Sequence, residues 1–259
     1  MAKGCINKEF YIGRYIYLKS KLDQMPKVKF GTADGNTVLN AYRIDPATGK
    51  EKRSRLSSPK NKDYSALSRL ADEKERLEEQ LKLLLQSWKE DHGGSLPKLA
   101  SKYFIVPNTD NRYNALLWSR LKEGLCTVPN KYPVQYKNYA MRSRFETEVA
   151  KVLDSLGLDY KYEIELEVSG ELLYPDMSVL LSEYNRCGFV EAMGGLSTVK
   201  YGDHNVKKIR CYLDAGLYPN VDLSIVSAGN DYRPDSEDIK RVIGTMLSAI
   251  ARQHVFKKE

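Results

Sequence analysis

Near the start of the chain, Ile12, Tyr15, Ile16, Lys19 and Leu22 follow helical spacing and Pro26 marks a stop, which predicts a first helix over about 8–24. Short runs then alternate with turn signals. Val28 to Phe30, Val38 to Ile44 and Lys50 to Leu56 are separated by Ala33-Asp34-Gly35-Asn36 and Asp45-Pro46-Ala47-Thr48-Gly49. Three antiparallel strands joined by two hairpin turns are expected. From Leu67 the period lengthens again: Leu67, Leu70, Lys74, Leu77, Leu81, Leu84 and Trp88 recur at steps of three and four with charged residues between them. This is a heptad seam of about three repeats with one polar interruption. It suits an antiparallel pairing with the first helix, or a dimer or partner contact. His92-Gly93-Gly94-Ser95 and Pro97 end it.

Residues 98–141 are aromatic-rich and Pro-punctuated, with a short helix expected around Ala115 to Lys122. Beyond them the pattern becomes that of an α/β domain. A helix over about 142–156 precedes a strand from Tyr160 to Val168, with Tyr162, Ile164, Leu166 and Val168 on one side. Strands follow at Tyr174 to Leu181 and Cys187 to Met193, then a helix over about 199–215, a strand at Asp222 to Val226 and a last helix from Ser236 to Arg252. Three segments are expected: a basic N-terminal domain over 1–98, a connecting aromatic and basic region over 99–141, and an α/β domain over 142–259.

The 259 residues are 42% hydrophobic and 29% charged, with no apolar run long enough for a membrane span and no apolar signal-peptide centre. A soluble, cytoplasmic protein without a membrane partner is expected. Cys5, Cys126, Cys187 and Cys211 form no Cys-x-x-Cys pair, and His92, His204 and His254 are scattered. These spacings argue against a zinc knuckle, a disulfide framework or a Ser-His hydrolase. The net charge of +7 conceals an uneven distribution: +9 over 1–62, −2 over 63–98, +6 over 99–145 and −6 over 146–259. A basic front joined to an acidic back suits a polyanion held by one part and a divalent cation by the other. A lysine-rich solvated surface is the plainer alternative. The eighteen tyrosines outnumber six phenylalanines, and Tyr103, Tyr113, Tyr132, Tyr136 and Tyr139 are interleaved with Lys and Arg. They suit base stacking, or a core edge where a phenol keeps one wet side.

Asp176, in Tyr174-Pro175-Asp176, opens the second strand of the acidic part, and Glu191 lies in the third. If those strands pair as a hairpin, both carboxylates sit at one end of the sheet, and Glu146 on the preceding helix can point there too. Oxygen ligands without His or Cys suit Mg2+ or Mn2+, which polarises a phosphoryl oxygen and activates a water. Glu163 is opposite in phase to Tyr162 and Ile164; it supports the metal ligands or is the polar face of an edge strand. Gly194-Gly195 permits close approach of a phosphate backbone or simply ends the strand.

This succession, with Arg142-Ser143-Arg144-Phe145-Glu146, Tyr160-Lys161-Tyr162-Glu163, Tyr174-Pro175-Asp176, Val190-Glu191-Ala192-Met193-Gly194 and the run from Tyr201 through Lys208 to Tyr212, resembles the PD-(D/E)XK nuclease superfamily over roughly 130–250. The resemblance implies an α/β fold: a restriction-endonuclease-like mixed sheet flanked by helices, here preceded by an α+β domain with a small antiparallel sheet and a long heptad helix. It implies that Asp176, Glu191 and the Ala192 carbonyl would be metal ligands, with Glu146 as a further or water-mediated ligand. Met193 stands where the motif has lysine. A shifted lysine occurs in the superfamily, and Lys208 on the next helix matches that role, the alternative being a solvated lysine. Arg142, Arg144 and Lys207, together with Lys52, Arg53 and Arg55 of the front sheet, would contact nucleic acid. The expected activity is Mg-dependent endonucleolytic hydrolysis of DNA. A catalytically inactive nuclease-like binding module and an assembly protein are the competing readings.

Overall fold

The computed structural model describes residues 6–56, 63–109, 112–124, 133–168, 170–194, 199–229 and 233–259. Cys5, Cys126, Tyr132 and Gly195 lie outside these residues, as does the side chain of Tyr201. The fold is mixed α/β. In chain order it runs α1 (Lys8–Gln24), β1 (Val28–Ala33), β2 (Asn36–Ile44), β3 (Glu51–Leu56), α2 (Tyr64–Asp91), α3 (Leu96–Ala100), β4 (Tyr103–Ile105) and α4 (Ala115–Arg120). It continues with β5 (Val134–Tyr136), β6 (Tyr139–Met141), α5 (Arg144–Ser155), β7 (Asp159–Tyr162), β8 (Leu166–Val168), β9 (Glu171–Leu173) and β10 (Met177–Leu181). After a 3-10 turn at Ser182–Tyr184 come β11 (Arg186–Met193), α6 (Val199–Asp214), β12 (Leu223–Ser227), α7 (Ser236–His254) and β13 (Val255–Lys257).

Two compact units result, one of residues 17–83 and one of 1–16 with 84–259. The divisions expected near 98 and 141 do not coincide with this partition. The first turns of α1 and the last turns of α2 belong with the larger unit. Within it, Tyr11 donates its hydroxyl to Asp91 and lies against Trp88 with ring centroids 5.5 Å apart. Asp91 also accepts from the buried Lys240 at 2.8 Å. The helix ends are thus antiparallel neighbours. The seam residues Leu77, Leu84 and Trp88 are buried within the single chain. No described helix is long and apolar enough to cross a membrane.

In the smaller unit, β1, β2 and β3 form an antiparallel sheet in that order, with Val28, Leu39 and Ala71 at its core. The larger unit is organised by a four-stranded sheet ordered β12-β11-β10-β7. β7, β10 and β11 are antiparallel neighbours, and β12 returns parallel to β11 after α6. Leu181, Val190 and Val226 are buried in this sheet, as a parallel crossover covered by helices requires. α6 and the turn after it cover one face through Tyr212 and Ala215, which share an apolar cluster with Cys187, Phe189 and Leu223. On the other face Gly188 leaves room for Met246 of α7: a Cβ there would lie 2.9 Å from the Met246 side chain.

The single strand expected from Tyr160 to Val168 is instead two. Glu163 adopts a left-handed backbone with φ 46°, which ends β7; β8 then leaves the main sheet to pair with β9. The strand expected from Tyr174 correspondingly begins at Met177, and residues 171–173 serve that second hairpin.

α1 is pinned to the larger unit by an ion pair whose side chains are 3% and 0% exposed, Arg14 with Glu183 at 3.2 Å, and Arg14 also donates to the Gly157 carbonyl. Burial pushes the Glu183 carboxyl up, and Arg14 opposes that shift. Arg14→Met should cost about 3–5 kcal/mol because it strands a buried carboxylate, whereas the Arg14→Met/Glu183→Met double substitution should recover much of the loss. Urea unfolding of the three proteins checks this.

Candidate active site

Asp176 immediately precedes β10. The register that sets Met177 opposite Val190 and Tyr162 opposite Met177 puts Asp176 across from Glu191 on one side and Glu163 on the other. The Glu163 amide donates to the Asp176 carbonyl at 2.9 Å. The strand-end alignment anticipated from sequence is therefore formed by three acidic residues in a row across β11, β10 and the end of β7.

Their side chains have different partners. The Asp176 carboxyl accepts from the Ala192 amide at 2.7 Å and feels the charge of Glu191 on the facing strand. Ala192 thus contributes its N–H, and in extended backbone its carbonyl leaves the strand on the same side. Glu191, only 3% exposed, accepts from the Tyr212 hydroxyl at 2.6 Å on one oxygen and from the Lys208 ammonium on the other. Lys208 and Tyr212 stand four residues apart on α6, hence on one helical face. Met193 is buried, 3% exposed. The amine at this site comes from Lys208. Tyr212 is the residue whose role sequence reading did not assign; its spacing from Lys208 was the available signal.

Glu146 is held elsewhere. Ser143 caps α5, accepting from the Glu146 amide at 3.1 Å, and its hydroxyl donates back to the Glu146 carboxylate at 3.0 Å. The Ser143-x-x-Glu146 spacing is that of a capping box, here with the carboxylate returning to the Ser143 hydroxyl rather than to its amide. The other Glu146 oxygen accepts from the Tyr162 hydroxyl at 2.6 Å and the Arg142 amide at 3.0 Å. Among the described residues no group of three or more His, Cys, Asp and Glu side chains is placed to hold a metal ion. Of the three carboxylates expected to converge, the strand register sets Asp176 and Glu191 opposite each other. Glu146 is coupled to this pair only through charge, because its own oxygens are spent on the helix start.

The guanidinium of Arg142 pairs with the Glu163 carboxylate, so one of the expected phosphate contacts is engaged inside the protein and Glu163 supports a cation other than a metal. Arg144 and Lys207 are exposed in this unit; Lys52, Arg53 and Arg55 are exposed on β3 of the other. Gly194 is open, with nothing within 4 Å of an added Cβ. The interleaved tyrosines are engaged internally: Tyr113 is buried and donates to the Ala215 carbonyl at 2.8 Å, Tyr136 donates to Asp154 at 2.7 Å and Tyr139 to Glu123 at 2.8 Å. Burial and Asp154 push the Tyr136 phenol up to about 12. The core-edge alternative describes these three.

The electrostatics are those of crowded acids. Burial and then the Glu191 charge hold the Asp176 carboxyl well above the usual carboxylate range, against the opposing pull of Lys208 and the Ala192 amide. Burial and then Asp176 push Glu146 up as well, and its hydrogen bonds to Tyr162, Ser143 and Arg142 pull the other way. Burial and the facing charge thus both favour the neutral form of the Asp176 carboxyl.

No protein-family profile, curated protein or solved structure matches the chain.

Because the Asp176 and Glu146 carboxyls bind protons more tightly in the folded chain than in the unfolded one, their contribution to stability is complete below the ordinary carboxylate range. It is lost as pH rises through their raised values. In chelator-containing buffer the melting temperature should therefore decline from mildly acidic toward alkaline pH. Asp176→Asn, which keeps the shape without the charge, should flatten that decline and melt higher than the parent at alkaline pH. A variant no more stable there than the parent would contradict the assignment.

Proposed function

We propose that the chain is a metal-dependent phosphodiester hydrolase with a restriction-endonuclease-like core, acting on DNA through Asp176, Glu191 and Lys208. The observation that carries this reading is the register that sets Asp176 opposite Glu191 on paired strands, with the Ala192 amide on Asp176 and the Lys208 ammonium on Glu191. Two carboxylates are a suitable protein contribution to Mg2+ or Mn2+, because Mg2+ commonly takes only one or two and completes its octahedron with waters and substrate phosphate. The donor set is hard oxygen throughout, and the raised proton affinity of Asp176 marks a place where positive charge would neutralise the pair. When bound, the ion would polarise a phosphoryl oxygen and lower the pKa of a coordinated water.

The chain's own groups would act as follows. The Ala192 amide fixes the rotamer of Asp176. Tyr212 and Lys208 hold the two oxygens of Glu191, and Lys208 brings positive charge to the position left neutral by Met193. The Glu146 carboxyl, both of whose oxygens are held by Ser143, Tyr162 and the Arg142 amide, would add negative charge beside Asp176. Arg144 and Lys207, both exposed, supply phosphate contacts.

The Lys208 contact also favours a second reading. An ammonium on Glu191 Oε1 together with a proton on Asp176 neutralises the pair without any metal, as an inactive nuclease-like binding module would require. Nicking of supercoiled plasmid in Mg2+ or Mn2+ separates the two. For the hydrolase, Asp176→Asn, Glu191→Gln and Lys208→Met should each reduce the nicking rate by about 100-fold or more. Parent protein that is inert with both ions supports the second reading, and nicking that survives both carboxylate substitutions overturns the site.

A further inference from the structure

The three-stranded sheet of the smaller unit has two unlike faces. One carries Val28, Phe30, Leu39 and Leu56 and packs on Leu67, Leu70 and Ala71 of α2. On the other, strand pairing sets Arg53 opposite Tyr42, Arg55 opposite Asn40 and Asn40 opposite Lys29, and the Tyr42 amide donates to the Lys27 carbonyl at 2.9 Å. Two rows therefore cross the sheet, Lys27 to Tyr42 to Arg53 and Lys29 to Asn40 to Arg55. The period of two puts them all on the face away from α2. Lys27, Lys29, Arg53 and Arg55 are exposed and Tyr42 is half-exposed. The ammonium groups of Lys27 and Lys29 lie 5.2 and 6.0 Å from the centre of the Tyr42 ring. Glu51 shares this face and pairs with Lys27 at 2.6 Å, leaving an excess of three positive charges.

Cations on an edge strand commonly guard it against pairing with another chain. That role accounts for β3. It extends to the lysines of the other edge, β1, but not to their convergence on an aromatic ring of the central strand. We infer that this face binds a single-stranded stretch of nucleic acid, an unpaired base stacking on Tyr42 while Lys27, Lys29, Arg53 and Arg55 hold the phosphates on either side. The nature of the polyanion rests on the proposed function; the binding itself does not depend on hydrolysis. A duplex would offer phosphates to the same cations, but its bases are already stacked on one another and leave no ring face for Tyr42. Stacking and charge also have separable signatures, since stacking tolerates any base and is insensitive to salt, whereas each phosphate contact adds to the salt dependence.

The test is fluorescence anisotropy of labelled oligothymidylate and of a duplex of equal length, with the full chain in chelator and in an Asp176→Asn background so that cleavage plays no part. The single strand should bind more tightly. Tyr42→Leu should weaken it by about tenfold or more with the salt slope unchanged. Arg53→Gln/Arg55→Gln should reduce the slope of log affinity against log salt by about 1.4, or about 0.7 for each phosphate no longer neutralised. These two arginines are exposed, so their variant decides the matter even where circular dichroism shows that Tyr42→Leu has unfolded. An unchanged slope in that variant, or duplex preferred with Tyr42 silent, overturns the inference. Failure of the hydrolase reading would appear instead in plasmid nicking, with this binding intact.

Discussion

The register between β10 and β11 forces two acids together. Val179, Leu181, Phe189 and Val190 are all buried in that pair of strands. Phe189 packs with Tyr212 of α6 while Gly188 admits Met246 of α7 on the other face, so a slip by one residue would exchange the side chains that fit the two helices and is disfavoured. With the register fixed, Asp176 and Glu191 have no freedom to separate, and their proximity is a standing electrostatic cost. The surrounding groups read as responses to it: the Ala192 amide on Asp176, and Tyr212 and Lys208 on the two oxygens of Glu191. A fold selected for stability alone gains nothing from such a pair, because replacing one acid by a neutral isostere relieves the repulsion. Concentrated electrostatic strain of this kind is characteristic of sites that hold a cation or exchange a proton.

Long-period patterns in the sequence were legible because the physics that sets them is local. Lys8–Gln24, Tyr64–Asp91 and Ser236–His254 lie close to where apolar spacing and breakers put them. The break at Glu163 was not legible. Tyr162, Ile164 and Leu166 remain buried on either side of it, so the alternation continues through a position where the backbone turns left-handed. No glycine or asparagine announces the turn. Tertiary bonds hold it instead: the Glu163 amide to Asp176, its carbonyl to the Gly124 amide, and its side chain to Arg142.

The candidate site divided along the same line. Asp176 and Glu191 could be aligned by counting residues along a hairpin, and Lys208 by its place on the following helix. The fate of Glu146 could not be counted. Whether a carboxylate at the start of a helix faces outward to an ion or folds back to cap its own helix depends on Ser143 three residues before it and on Tyr162 from another strand. Both bind it here. The capping box was written in Ser143-Arg144-Phe145-Glu146, and local hydrogen bonding took precedence over convergence with the other acids. Arg142 followed a similar course, its charge drawn to Glu163 by a turn that the pattern did not reveal.

Charge neutralisation then relates the state of the pair to what the chain can do. Burial and the facing Glu191 favour the neutral form of Asp176, and the Lys208 ammonium sits on Glu191; under the proposed function a divalent ion would compete with a proton at Asp176 and share Glu191 with Lys208. Displacement becomes easier as pH rises, since fewer protons compete for the raised carboxyl of Asp176. The same rise in pH removes the stability that protonation confers, and a bound cation would restore it by mass action. Stability and metal occupancy are thus two readings of one equilibrium at the Asp176 carboxyl. A chain in which Lys208 never yields its place would show the pH-dependent stability without a metal response.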